Sequence, residues 1–350
     1  MGLANVTVLV VLALGGAQAK QTKRVKRPAQ AAKMIQAKLT LGQPVQLGSV
    51  AVVPIESTLP LSREEYMTLF EAMKLGVVKV IEVQGGGEVN DVEVENNGTR
   101  PILLLAGELL LGGQQDRIVA KDCIVAPHER RRVPVFCVEH GRWNGTPAFQ
   151  AADTLVVAGV RATASESQDQ TKVWAKVAET NGKAKAAPST GTIRGTLNDP
   201  TVKKNADRLL AEMKAKFHQS GKTVGMIFWL NGKVESADIF GNPNLFAHNR
   251  DKLLKSYSVD AQLAPHSKKT SVDQKVCSQF LADIVKAGRS RGERSAMGNT
   301  FRLQDGAIAG YESGNRSFSG GLASPSSVIG GSPGGLGHGT YHPKDKKGGG

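Results

Sequence analysis

Residues 100–122 read RPILLLAGELLLGGQQDRIVAKD, and this stretch decides how the rest of the chain is interpreted. Its apolar run, residues 102–111, ends at the paired glycines Gly112 and Gly113. Similar short apolar segments recur between residues 44 and 138 and are separated by glycine-rich turns. Short strands joined by such turns favour an antiparallel sheet over a parallel one. The sequence therefore predicts an N-terminal antiparallel β-sandwich or barrel-like unit.

Beyond residue 160 the apolar residues return every three or four positions, which indicates helices. Residues 201–218 are the clearest case, because Leu209, Met213 and Phe217 fall on one face. A two-residue turn at Asn231 and Gly232 predicts a β-hairpin over residues 223–240. We therefore expect an α+β fold, in which the β-rich unit is packed with helices and a C-terminal β-hairpin/helix layer.

One helix is also predicted inside the β-rich unit. Ser62 and Glu65 have the spacing of a capping box, in which the first residue caps the helix and the acid reaches back to it. Tyr66, Leu69 and Met73 follow at helical spacing. The helix is therefore expected to begin after Ser62.

The two ends of the chain differ from its middle. Residues 1–19 resemble an export signal, with an apolar core over residues 6–14 and small residues before position 20. The alternative is a hydrophobic N-terminus on a cytosolic protein, because no Lys or Arg precedes the apolar core. Glycine and serine predominate over residues 313–350, which predicts a disordered tail. Residues 337–341 are the one part of the tail that could form a strand.

These boundaries predict four segments: a signal peptide (1–19), a flexible basic arm (20–38), a single α+β domain (39–312) and the tail (313–350). The domain is β-rich over residues 39–160 and helix-rich over residues 161–312. Export would place the protein in the periplasm or outside the cell. No apolar run approaches the roughly 20 residues that a membrane-spanning helix needs, so no transmembrane segment is expected.

The formal net charge of +14 invites a nucleic-acid interpretation, but half of it comes from seven basic residues within residues 20–38. Such an arm binds an anionic polymer or membrane surface without reading sequence, or only keeps the protein soluble. Aromatic residues are 5% of the chain, too few for an extended base-stacking surface. We therefore expect no sequence-specific nucleic-acid partner.

Three cysteines are present, and none has metal-ligand spacing with a histidine or another cysteine. Cys123 and Cys137 would lie opposite each other if their strands formed a hairpin centred near Arg130. Export would permit a disulfide between them, and two buried thiols are the alternative. No metal and no cofactor is expected.

Glu108 is the sharpest anomaly, because it is the only charged residue between Arg100 and Asp116. A carboxylate buried without a partner would cost several kcal/mol or shift its pKa upward. It therefore needs a cation or a ligand, and Arg117, Lys121 and Arg142 are the candidates. A structural ion pair and a ligand-facing carboxylate both remain open.

A second candidate group is the run Glu139-His140-Gly141-Arg142-Trp143, which ends a predicted strand. Arginine suits bidentate recognition of phosphate or carboxylate, and tryptophan can stack on a base or sugar. Gln114, Gln115, Asp116 and Arg117 form a polar turn that could supply ribose or phosphate contacts, and a solvated turn is the alternative. The alternative is structural, with Trp143 in the core and Arg142 paired with Glu108.

The chain resembles a bacterial family, the ADP-ribosylglycohydrolase- and rhodanese-phosphatase-superfamily-associated protein domain. The resemblance covers roughly residues 39–311, and its motifs are LTLGQPVQLGSVAVVPIE (39–56), residues 100–122, VPVFCVEHGRW (133–143), QTKVW (170–174) and residues 224–261. It implies one α+β domain and a ligand related to ADP-ribose or another nucleotide. It also implies that the motif positions form the site: Glu108, Gln115, Arg117, Lys121, Glu139, Gly141, Arg142 and Trp143.

Three functions follow from these residues. The first is an exported domain that binds an anionic small molecule, such as a nucleotide or an ADP-ribose relative, through Gln115, Arg117, Lys121, Arg142 and Trp143. The second is a hydrolase of a nucleotide or ADP-ribosyl bond, with Glu139 or Glu108 as general base. The third is a structural envelope protein without a ligand. No nucleophile elbow, Walker loop or dinucleotide fingerprint decides between them.

Overall fold

The structure is a computed structural model that describes residues 29–58, 65–83, 90–241, 243–265, 271–287, 289–294, 298–305, 308–315 and 339–343. The described helices are α1 (Ala29–Lys38), α2 (Leu69–Lys74), α3 (Ala158–Ser167), α4 (Gln170–Lys183), α5 (Arg194–Leu197), α6 (Pro200–Lys216), α7 (Pro243–Leu263) and α8 (Gln274–Lys286). The described strands are β1 (Leu39–Leu41), β2 (Val45–Leu47), β3 (Val50–Ser57), β4 (Met67–Thr68), β5 (Val78–Glu82), β6 (Asp91–Asn96), β7 (Ile102–Leu104), β8 (Glu108–Gly112), β9 (Arg117–Val119), β10 (Cys123–Val125), β11 (Arg130–Cys137), β12 (Phe149–Leu155), β13 (Thr223–Leu230), β14 (Lys233–Ile239), β15 (Arg289–Arg294), β16 (Gly298–Asp305), β17 (Ile308–Asn315) and β18 (Gly339–Pro343).

The largest sheet has nine strands in the order β1-β3-β13-β14-β18-β17-β16-β15, with β2 also paired to β3. Every pair in it is antiparallel. β3 pairs with β13 over Val50 to Glu56, so this sheet joins the N-terminal β-rich region to the helix-rich region. α8 covers one face through Phe280, Leu281 and Val285, and α6 and α7 cover the other.

Two smaller sheets complete the fold. Six strands follow the order β12-β8-β9-β11-β6-β5, and three follow the order β10-β7-β4, in which β4 and β7 are parallel. Buried valines and leucines of these two sheets share one core with α2, as in a sandwich. The opposite face of the six-stranded sheet packs on α3, α4 and α6. The α+β prediction is confirmed, with predominantly antiparallel sheets.

The local signals had mixed outcomes. The hairpin β13–β14 turns at Asn231 and Gly232, which both have positive φ as a tight turn of this type requires. The helix predicted to begin after Ser62 is wrong at its start. Residues 59–64 lie outside the described part of the chain, and α2 begins at Leu69 with Thr68 and Glu71 forming the capping box. The spacing of a capping box, Ser or Thr followed three residues later by Glu, occurs at Ser62 and again at Thr68. The second occurrence caps α2.

The predicted hairpin between the strands of Cys123 and Cys137 is also wrong. β10 pairs with β7, whereas β11 pairs with β6 and β9. Cys123 and Cys137 are buried thiols that no disulfide joins. The two neighbouring strands therefore belong to different sheets: β10 pairs with an apolar strand, and β11 pairs with β6 in part through Arg130 opposite Glu95 and Arg132 opposite Glu93.

Both predicted terminal segments contain ordered elements. Residues 29–38, within the arm predicted to be flexible, form α1, which contacts α8. Residues 339–343, within the tail predicted to be disordered, form β18, which lies between β14 and β17. Residues 313–315 of the same predicted tail belong to β17. The signal peptide and residues 316–338 and 344–350 lie outside the described residues. No helix in the described ranges combines the length and the apolarity needed to cross a membrane.

Candidate functional site

Three loops meet at one end of the six-stranded sheet. The first joins β8 to β9 (residues 113–116), the second follows β11 (residues 138–148), and the third precedes α5 (residues 184–193). Backbone hydrogen bonds tie them together, because Val138 N donates to Asp116 O, Gly141 N to Thr190 O, and Ile193 N to Val138 O. We call the charged side chains held there the loop junction: Asp116, Glu139, Arg142 and Arg194.

Asp116 is the centre of the loop junction and is fully buried. Its Oδ1 accepts hydrogen bonds from Gly112 N at 3.0 Å and Arg142 Nη2 at 3.3 Å. Its Oδ2 accepts from Thr192 Oγ1 at 3.0 Å and pairs with Arg194 Nε at 2.7 Å. With both oxygens so occupied, Asp116 fixes the loops in place.

Glu139 and Arg142 form the second half of the loop junction. Glu139 Oε2 accepts from Arg142 Nε at 2.9 Å and Asp116 N at 3.0 Å, and Oε1 accepts from Thr190 Oγ1 at 2.7 Å. Burial alone would raise the pKa of Glu139, but these donors lower it below its usual value. A lowered pKa makes Glu139 a weaker base, which opposes the role of a general base near neutral pH.

Arg142 is itself fully engaged. Its Nη1 donates to Gly113 O and Asn144 O, both at 2.7 Å, and its Nη2 also donates to Gly112 O at 3.1 Å. The expected partner Glu108 is not among these contacts, so the predicted Arg142–Glu108 pair is wrong. Arg142 connects the first loop to the second.

Arg117 lies at the start of β9, opposite Cys137 of β11. It is fully buried, and its Nη1 donates to Gln115 Oε1 at 2.9 Å. Its Nε and Nη2 have no hydrogen-bond partner among the residues that the structure describes. These two nitrogens form one edge of the guanidinium, the edge that binds two oxygens of a phosphate or carboxylate. Buried donors are rarely left in this state, so this edge is the unusual feature of the site.

Glu82, at the end of β5, is the nearest carboxylate to that edge. Its Oε1 lies 3.7 Å from Arg117 Nη2, which is an ion pair beyond hydrogen-bond distance. The same oxygen accepts from Gln114 N at 2.9 Å. A Cβ on Gly113 would lie 2.6 Å from Glu82 Oε1 and 2.2 Å from Phe149, so glycine is required there. Close packing of the first loop therefore places Glu82 beside Arg117.

Trp143 follows Arg142 in the second loop and is 57% exposed. The alternative that placed it in the core is wrong. An exposed indole beside a network of hydrogen-bonded loops can stack on a ring or sugar. His140, in the same loop, contacts the edge of the Trp174 ring, with centroids 4.5 Å apart.

Glu108 belongs to a different cluster, in the interior. It is 2% exposed, pairs with Lys252 of α7, and accepts from Leu105 N at 3.1 Å. The prediction that Glu108 needs a cation is confirmed, but the candidates Arg117, Lys121 and Arg142 were the wrong ones. Lys121 lies between β9 and β10 and is half-buried, outside the three loops.

The same interior cluster contains a second fully buried arginine, Arg161 of α3. Its Nη2 pairs with Asp238 Oδ1 at 2.9 Å, and its Nε donates to Ala106 O at 3.1 Å. Tyr257 Oη also donates to Asp238. Burial and the neighbouring Asp238 raise the pKa of Tyr257, which keeps its hydroxyl protonated. We call this cluster the interior network: Glu108, Asp122, Arg161, Asp238, Lys252 and Tyr257.

The predicted site is thus divided in two. Gln115, Arg117, Glu139, Arg142 and Trp143 lie in or beside the three loops, whereas Glu108 belongs to the interior network and Lys121 lies between β9 and β10, outside the loops. Sequence reasoning missed Glu82, Thr190, Thr192 and Arg194, which come from distant segments with no local motif. Within the described ranges, no group of three or more His, Cys, Asp or Glu side chains could hold a metal ion.

Comparison with known proteins gives one match. The family model of the ARG and Rhodanese-Phosphatase-superfamily-associated Protein domain matches residues 38–324. These residues include all three loops and the interior network. No curated protein and no solved structure matches the chain.

Proposed function

Because the chain belongs to the ARG and Rhodanese-Phosphatase-superfamily-associated Protein domain family, we propose that it is a binding domain for an anionic small molecule. Arg117 is the residue that holds the anion. The family name associates the domain with ADP-ribosylglycohydrolases, and this favours a nucleotide-related anion such as ADP-ribose. Family membership alone does not assign a ligand, so the proposal depends on the chemistry of Arg117.

The observation that carries the proposal is the Nε/Nη2 edge of Arg117. Burying an arginine costs free energy unless its donors are hydrogen-bonded. Here Gln115 satisfies one nitrogen, and Glu82 stays 3.7 Å away from another. An anion with two oxygens would satisfy both remaining donors at once and form a bidentate pair. The cost of burying Arg117 is then offset when the ligand binds.

The surrounding residues fit a nucleotide better than a bare anion. Trp143 offers an exposed aromatic surface to a base or sugar, and Gln114 is an exposed polar residue next to Gln115. Arg142 and Asp116 do not compete for the ligand, since their polar atoms are already used to hold the loops. In this proposal they position the site, and Arg117 and Trp143 contact the ligand.

Hydrolysis of the bound molecule is less well supported than binding. A general base works best with a pKa near the working pH, and the pKa of Glu139 is lowered instead. Glu108 is held by Lys252 and a backbone N–H in the interior network. Neither carboxylate is placed as the hydrolase hypothesis requires.

The test is a thermal-shift panel with ADP-ribose, AMP, pyrophosphate and inorganic phosphate. A ligand at 100 times its Kd adds about 2.7 kcal/mol to the stability of the folded state, so Tm should rise. Arg117→Met should abolish the rise. Arg130→Met is the matched control, because Arg130 is 57% exposed and pairs with Glu93 outside the site.

Two results would contradict the proposal. If no anion raises Tm, or if Arg117→Met keeps the full rise, Arg117 does not hold a ligand. Chromatography of the nucleotide after incubation separates binding from turnover. Product that disappears in Glu139→Gln would support the hydrolase hypothesis instead.

The proposal also includes export, which depends on residues 1–19 alone. Fractionation of cells that express the full chain should place it in the periplasm or medium, with a new N-terminus near residue 20. A chain that stays in the cytosol with residues 1–19 attached would contradict export and would leave the binding proposal unaffected.

A further inference from the structure

Glu82 lies where it can control what reaches Arg117. The Arg117 side chain has no exposed surface, whereas the Glu82 side chain is 16% exposed. Glu82 is therefore the solvent-facing member of the pair. Its Oε1 is fixed by Gln114 N, and this bond keeps the carboxylate 3.7 Å from Nη2 instead of in direct contact. An anion that binds the Nε/Nη2 edge must lie close to this carboxylate.

The local charges then decide which anion is accepted. Glu82 and Arg117 carry one charge each and cancel, and the loop junction pairs Asp116 and Glu139 with Arg142 and Arg194. The bound anion consequently meets a neighbourhood of almost zero net charge, with one carboxylate at its side. Repulsion between like charges grows in proportion to the charge of the anion. Glu82 therefore penalises a doubly charged group twice as much as a singly charged one and offsets the doubled attraction of that group to Arg117. The greater cost of taking two charges out of water then favours the singly charged group.

We infer that Glu82 is the specificity-determining residue of the Arg117 site and selects an anion with one charge shared by two oxygens. Carboxylates and phosphates esterified on both sides have this chemistry, and a terminal phosphate does not. The inference rests on the proposed function and names its ligand class. For a nucleotide, it means a bridging phosphate that is linked at both ends.

The experiment compares three small probes at pH 8: acetate, dimethyl phosphate and methyl phosphate. At this pH methyl phosphate carries two charges, because its second pKa is about 6. Each probe is titrated into the ¹⁵N-labelled full chain, and the Nε–H signal of Arg117, identified by its loss in Arg117→Lys, reports occupancy. Acetate and dimethyl phosphate separate a carboxylate source from a phosphodiester source.

Glu82→Gln keeps an acceptor oxygen for Gln114 N and removes only the charge. The wild-type chain should bind dimethyl phosphate or acetate more tightly than methyl phosphate. In Glu82→Gln every probe should bind more tightly, and the gain should follow the charge of the probe. A fourfold gain for a singly charged probe predicts about a sixteenfold gain for methyl phosphate, since the repulsion removed is twice as large. Glu212→Gln, on an exposed part of α6, should change none of these values.

Each outcome has one meaning. Equal gains for singly and doubly charged probes in Glu82→Gln would overturn the role of Glu82 and leave the binding site intact. If no probe moves the Arg117 signal in either chain, the proposed function fails, and the inference fails with it. A methyl phosphate preference in the wild-type chain would also overturn the inference, because Glu82 would then fail to offset the attraction of the second charge to Arg117.

Discussion

Arg117 and Arg161 are both fully buried, yet their surroundings differ completely. Arg161 donates hydrogen bonds to the Asp238 carboxylate and to Ala106 O, and Tyr257 donates to the same carboxylate. Arg117 has one hydrogen bond from Nη1 and a carboxylate at 3.7 Å. The first arginine completes a closed network, and the second leaves an edge of its guanidinium without a partner in the described structure.

The comparison separates structural from functional burial of charge. Arg161 links α3 to β14 and to the turn before β8, so it joins helices to two of the three sheets. Removing it would leave Asp238 buried without its cation. Arg117 joins fewer elements, and under the proposed function the free-energy cost of burying it is offset when a ligand binds. Stability should therefore depend on the interior network, and binding on Arg117.

The largest expected effect comes from removing the carboxylate that holds Arg161. Asp238→Ala should lower the free energy of unfolding by about 3–5 kcal/mol, because it leaves Arg161 as an uncompensated buried charge. Urea denaturation measures the loss. Asp251→Ala is the control, since Asp251 is in an exposed pair with Lys214 and should cost at most about 1 kcal/mol. A loss of similar size in both variants would contradict the assignment of the interior network to stability.

A smaller loss of stability is expected from a substitution that crowds Arg161 and leaves the Arg161–Asp238 ion pair in place. Gly107 has a φ of +85° and a Cβ there would lie 2.4 Å from Arg161 Cγ. Gly107→Ala should therefore cost about 2 kcal/mol or more, from backbone strain and the forced shift of Arg161. Gly76→Ala shares the positive φ but meets no atom within 4 Å. If the denaturation midpoints of Gly107→Ala and Gly76→Ala fall by the same amount, contact with Arg161 contributes nothing to the loss of stability.

Replacement of the other arginine should have a still smaller effect on stability. Arg117→Met removes a buried charge together with its unsatisfied donors, and it leaves Gln115 without one donor. We expect the free energy of unfolding to change by about 1 kcal/mol or less, since an apolar group of similar size often replaces buried charge at little cost. A loss as large as that of Asp238→Ala would show that Arg117 is structural.

The last prediction concerns pH and the helix that carries Arg161. Asp260 of α7 accepts Ala158 N at 2.9 and 3.1 Å at the start of α3. Burial raises the pKa of Asp260 from 3.8 to about 7, although the hydrogen bond from Ala158 N lowers it. The stabilisation linked to its protonated form is complete below about pH 4 and is lost as pH rises through about 7.

Asp260→Asn keeps an acceptor and cannot ionise. The stability of the wild type relative to Asp260→Asn should therefore fall from pH 4 to pH 7 and then level off. Urea denaturation at several pH values checks this, with Asp207→Asn on the exposed side of α6 as the control for lost charge. A difference that stays constant over this range would exclude a raised pKa at Asp260.

Local patterns predicted the elements that depend on local chemistry. Asn231-Gly232 specified the β13–β14 hairpin because these residues tolerate positive φ, and helical spacing placed α6 within one or two residues. Pairing between distant strands was not predictable in this way. The partner of β3 is β13, about 170 residues later, and apolar alternation is the same for every possible partner.

In the candidate site, too, the features that depend on local sequence were predictable, and the contacts between distant segments were not. The position of Glu108 among leucines indicated that it needs a cation. Its partner Lys252 lies 144 residues away, and nothing in the sequence pattern of α7 distinguishes this lysine from the others. Gln115, Arg117 and Arg142 were identified because polar residues follow apolar strands there. Glu82 and Arg194 were missed because their role depends on loops that meet only in three dimensions.

The position of β18 has a consequence for biosynthesis. Residues 339–343 are translated after every strand they join, yet they lie between β14 and β17. While the ribosome is still adding residues 316–338, both of those strands lack a neighbour and present unpaired backbone groups to other chains. The large sheet is thus completed late in synthesis, and a nascent chain stalled before residue 339 should depend on chaperones to stay unaggregated.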